Sequence, residues 1–145
     1  MKKFALLLVG LMFALAVGAA GVTFAAIHDD EVPLLQKLSA QLEQSANAEI
    51  EKVQQLSHGG RYNERDLLTR LNAFSETAKA LNAKIATIPI VEADLNQPLS
   101  ELKSLVLSID DIFVYESGYD HVRRDWNECK RILRRIDGIV YREGF

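Results

Sequence analysis

A chain of 145 residues is the size of one domain, and 48% apolar against 26% charged residues is a globular composition that excludes a disordered chain. A formal charge of −3 excludes the strongly basic footprint of a dedicated nucleic-acid binder. The single cysteine, Cys129, excludes an internal disulfide framework and a cysteine-rich zinc module, and it leaves no thiol near the amino terminus to take a lipid.

Lys2 and Lys3 precede an uncharged stretch of 24 residues from Phe4 to Ile27, after which come Asp29, Asp30 and Glu31. A positive start, an apolar middle and small residues before a polar continuation predict a secretory signal peptide over residues 1–25. Thr23 and Ala25 are small residues at the third-last and last positions of that segment, so cleavage is expected after Ala25. The same stretch is long enough to cross a bilayer, which makes an uncleaved transmembrane anchor over residues 4–27 the alternative. The flanking charges would then hold the amino terminus in the cytoplasm. Either way residues 26–145 are expected outside the cytoplasm, in the periplasm or extracellular space, or on a single-pass membrane protein. Loss of Lys2 and Lys3 leaves 15 Lys/Arg against 20 Asp/Glu, a net charge near −5.

The first predicted helix starts at Asp29 or Asp30, whose carboxylate can cap free backbone N–H groups, with Pro33 in the first turn. Leu35, Leu38, Leu42, Ala46, Ile50 and Val53 form its apolar stripe, and Ser57-His58-Gly59-Gly60 ends it. The second starts near Asn63 and carries Leu67, Leu71, Phe74, Ala78, Leu81, Ile85 and Ile88 at alternating spacings of 4 and 3, until Pro89 stops it. The third starts between Asp94 and Pro98. Its stripe is Leu95, Leu99, Leu102, Val106, Ile109 and Phe113, widened by Leu105 and Ile112, and Glu116-Ser117-Gly118 breaks it. The fourth starts near Asp120 with Val122, Trp126, Cys129, Leu133, Ile136 and Val140. Short connections make neighbouring helices antiparallel, so residues 26–145 are predicted to form an all-α, up-down-up-down four-helix bundle. A dimer of such bundles is left open.

This topology gathers His58, Arg61, Tyr62, Phe113, Tyr115, Tyr119, His121 and Trp126 at the end distal to the amino-terminal segment. Arg61, Tyr62, Tyr115, Tyr119 and Trp126 make a candidate partner-binding surface, because tyrosine and tryptophan offer large contact area with a polar handle. The competing reading has the aromatics closing the core at a bundle end. His58 and His121 with Glu116 or Asp120 are conceivable zinc ligands, although no motif spacing supports them. Cleavage after Ala25 would create the terminus Ala26-Ile27-His28, whose amine, amides and imidazole could bind Cu(II) or Ni(II) in a square plane.

Cys129 sits on the core stripe and reads as a buried small hydrophobe. His121 is eight residues away, about 12 Å along a helix, too far to activate it. Residues 119–145 carry seven Lys/Arg against five acids, while residues 26–118 carry eight against fifteen. The last helix is therefore expected to lie against acidic neighbours, with Arg124, Arg131 and Arg135 on one flank able to meet an anionic partner or lipid headgroups. Asp110 and Asp111 point about 100° apart on a helix and are no carboxylate pair; Asp110 is expected to pair with an arginine. No nucleophile elbow, phosphate-binding glycine loop or haem-attachment motif is present. The expectation is a non-enzymatic exported bundle acting through protein contacts, with no nucleic acid and with membrane contact through the amino-terminal segment. A periplasmic metal- or small-ligand-binding bundle is the alternative.

Overall fold

The computed structural model describes residues 27–56, 62–115 and 118–141; the signal peptide or anchor expected over residues 1–25 or 4–27 lies outside them. Helix α1 is Val32–Leu56, α2 is Tyr62–Ala86, α3 is Asn96–Tyr115 and α4 is Asp120–Tyr141, with a 3₁₀ turn at Glu92–Leu95 leading into α3. No strand occurs among the described residues, and the all-α arrangement is that of a helical bundle. No helix among them is long and apolar enough to cross a membrane.

Polar contacts fix how the helices run. Gln36 reaches the carbonyl of Ile85, Ser39 donates to Asn82 at 2.9 Å, and Ser75 donates to Asn47 at 2.6 Å, so α1 and α2 are antiparallel. On α3, Lys103 meets Asp137 of α4 at 2.6 Å and Asp110 meets Lys130 at 2.9 Å, again in antiparallel order. Lys52 near the end of α1 bridges to Asp125 near the start of α4. The ends of α1 and α3 therefore share one end of the molecule with the start of α4. Ile27 enters at the other end, where its N–H donates to Glu92 at 2.8 Å.

The core follows the stripes, with informative departures. All six stripe residues of α4 are buried, together with Ile132. On α2, Leu67 through Ile85 are buried, but Ile88 is 76% exposed. The helix stops at Ala86, so Ile88 no longer follows the helical period. On α1, Glu49 is buried and Ile50 only partly so. The first turn also differs from expectation. Helix α1 begins at Val32, not at Asp29 or Asp30, because Glu31 reaches back to the N–H of His28 at 3.1 Å and closes a preceding turn there. Phe74 and Trp126 pack edge to face at 4.9 Å, and Phe113 lies 6.4 Å from Trp126 and 6.2 Å from Tyr119. These rings close the distal end of the core.

Candidate interaction surface on helices α3 and α4

The aromatic residues expected at the distal end divide between inside and outside. Trp126 is fully buried, and its indole N–H donates to Asp110 at 2.8 Å. It therefore belongs to the core and offers no exposed contact area. Tyr119 is half-buried against Phe113. Tyr115 stands 84% exposed at the end of α3. Arg61, His58 and Glu116 lie outside the described residues, as does the side chain of Tyr62.

Asp110 takes Lys130 and the indole as partners, where the sequence suggested an arginine. The reason is register: Lys130 is one helical turn from Trp126, so both donors reach one carboxylate. Arg131 is committed to Glu128 on its own helix. Arg124, Arg134 and Arg135 are exposed and without a charge partner among the described residues. Arg124, Arg131 and Arg134 border a hollow of about 440 Å³ on the outer face of α4, with Lys130 at its inner edge.

Beside that hollow, α3 and α4 diverge. The groove between them has a volume of about 670 Å³ and is lined by Val106, Leu107 and Leu133, with Lys103, Asp110, Lys130 and Arg134 on its rims. Lys130 and Arg134 border both features, so the apolar groove runs directly into the basic face of α4. Leu107 is 69% exposed and Val114 74% exposed, seven residues apart on α3 and hence on one face. Exposed single leucines are ordinary; Leu107 differs in that it also lines the groove beside Val106 and Leu133, while Val114 stands further along the same face.

Of the metal candidates, His28, His121 and Asp120 fall among the described residues and His58 and Glu116 do not. Among the described residues, no group of three or more His, Cys, Asp or Glu side chains is placed to hold a metal ion. His28 and His121 are both exposed. The N–H of Ile27 donates to Glu92 and that of His28 to Glu31, so copper or nickel at that terminus would have to deprotonate both amides and displace both carboxylates.

Two buried carboxylates are the polar residues that the apolar stripes passed over. Asp137 is 3% exposed and paired with Lys103, whose ammonium also lies 4.8 Å above the Tyr141 ring. Glu49 is 1% exposed, and its Oε2 accepts no hydrogen bond among the described residues. Burial pushes the Glu49 carboxyl up to about 7, with Lys52 opposing the shift and Asp125 adding to it. Burial also pushes the Cys129 thiol up to about 12, helped by the nearby Glu49 charge, so the thiol stays protonated and inert. The sequence did carry a signal for Glu49. Leu35, Ser39, Leu42, Ala46, Glu49 and Val53 alternate at 4 and 3, a stricter heptad than the purely apolar stripe, with two polar members.

Comparison of the chain with protein-family models, known proteins and solved structures returns no match.

Proposed function

We propose that this protein is an exported, non-enzymatic up-down-up-down four-helix bundle that acts through protein contacts made by α3 and the groove beside α4. The observation that carries this reading is the apolar surface on that face: Leu107 projects outward from a groove lined by Val106 and Leu133, and Val114 is exposed further along the same helix. Burying such a surface against a partner is favourable at about 25 cal/mol per Å² of apolar area, before the costs of association. Export is supported by Lys2, Lys3 and the 24-residue uncharged stretch that follows, read as a cleaved signal or an anchor.

The test is a photo-crosslinking amino acid placed at position 107 of the full chain in its own host, with position 44, exposed on α1, as the control. Protein adducts are expected from position 107 and not from position 44. No adduct from 107 in any cell fraction sinks the reading.

A further inference from the structure

We propose that the outer face of α3 is where two copies of this chain meet, α3 antiparallel to α3 about a two-fold axis at Leu107. The proposal rests on the contact-module reading above and names its partner.

Helix α3 has a second seam. Ser100, Ser104, Leu107, Asp111 and Val114 are spaced 4, 3, 4 and 3 apart, and all five are exposed. The inner stripe already packs on the core, so this outer row, apolar at Leu107 and Val114, is the face of α3 left open to a partner. The groove between α3 and α4 adjoins this seam, with Leu107 common to both.

Charge selects the occupant and the register. The acid on the seam, Asp111, is exposed and has no partner among the described residues. The groove rims carry Lys103, Lys130 and Arg134. Lys103 and Lys130 serve Asp137 and Asp110 within the chain, which leaves Arg134 as the uncommitted cation. The surface thus offers an apolar centre, a free carboxylate on one side and a free guanidinium on the other. That is the arrangement an isologous interface requires, because a two-fold axis brings each charge to its opposite.

Antiparallel packing with Leu107 on the axis places Val114 opposite Ser100 and Asp111 opposite Lys103 of the second copy. Because Lys103 lies level with Asp137, Arg134 of the second copy is about 4.5 Å further along, within reach of its long side chain. The alternative register sets Leu107 against Val114. It matches the apolar residues equally well but stacks Asp110 and Asp111 of one copy on those of the other. Like charges opposed across an interface reject that register.

The test uses the full chain in its own host, with single cysteines read by oxidation and non-reducing electrophoresis. Cys129 is buried and its thiol is unreactive, so it adds no background. Leu107→Cys is expected to give a disulfide-linked dimer at twice the chain mass, because Cα atoms must come within about 7 Å. Gln44→Cys is expected to give none, and Val114→Cys alone none. Ser100→Cys combined with Val114→Cys is expected to link. Asp111→Lys in the Leu107→Cys background should reduce the dimer several-fold. All these positions are exposed, and unchanged helicity confirms that each variant is folded.

Failure of Leu107→Cys to dimerise above Gln44→Cys overturns the proposal. Linkage by Leu107→Cys with Val114→Cys, but not by Leu107→Cys alone, overturns the two-fold axis. If position 107 captures a different protein, the second copy is refuted while the contact-module reading stands. If it captures nothing, both fall.

Discussion

Glu49 sits where a hydrophobic residue would be the ordinary choice, between α1 and α4 and beside Cys129, Lys52 and Asp125. Its carboxyl is held near 7 by burial, above the value of 4.5 that it has when free. A raised acid binds more protons in the folded than in the unfolded chain, so stability is full below about pH 4.5 and falls as pH rises through about 7. Each pH unit inside that window costs about 1.4 kcal/mol. Glu49→Gln is therefore expected to flatten the dependence and to be the more stable form at pH 8, by on the order of 2–3 kcal/mol. Urea unfolding at pH 5, 6, 7 and 8 measures this, and parallel curves for the two proteins would refute it. Cys129 supplies a second check. Its thiol should resist alkylation at pH 8 in the folded chain and react at once in urea, because burial suppresses its thiolate. Glu49 was legible in the sequence only to a reader who counts positions before asking whether they are apolar; Ser39, equally buried, is the other member of that pattern.

At the scale of the helices, α4 is held on two sides. Its aromatic anchor, Trp126, fills the distal core against Phe74 and Phe113 and ties its N–H to α3 through Asp110. Trp126→Ala is expected to cost about 3–5 kcal/mol in denaturant unfolding, the range for large aromatic deletions in cores. Toward the other end, Lys103 neutralises the buried Asp137. Lys103→Ala leaves that carboxylate without its cation and should cost about 1–3 kcal/mol, while Lys103→Arg should recover most of it. Leu107→Glu, by contrast, changes a side chain that is exposed in the single chain, and at a dilution where the chain is monomeric it should move stability by less than about 0.5 kcal/mol. A large loss from Leu107→Glu would show that the outer face of α3 is structural. The helices themselves were written in the sequence as breaks: the glycines after α1, the proline after α2 and Gly118 before α4, which adopts φ +116°. The turn at Glu92–Leu95 was not, since a 3₁₀ turn has no apolar period of its own.

For the whole molecule, the charge arithmetic takes on a shape. The expectation that the bases of α4 lie against acidic neighbours holds at Lys130, which pairs with Asp110 of α3, but the polarity is reversed in Lys52–Asp125 and Lys103–Asp137, where α4 supplies the acid; Arg124, Arg134 and Arg135 stay exposed on its outer face. If contacts between proteins are the function, EDTA should leave helicity and the thermal midpoint unchanged. A fall in the midpoint on chelation would favour the metal-binding alternative instead. Among the described residues the sequence by itself determined the all-α class, the four helices and nearly every buried apolar residue, because these follow from local periodicity and from residues that break it. It also placed His28, His121, Tyr115 and the arginines of α4 on their helices or in their connections, but it could not say which were free. Only the tertiary structure decided that the Trp126 indole N–H meets Asp110, that Lys130 and not an arginine holds that carboxylate, and that α3 and α4 part to leave a groove. Those outcomes depend on how neighbouring helices pack across the core, and spacing along one helix carries no record of its distance from the next.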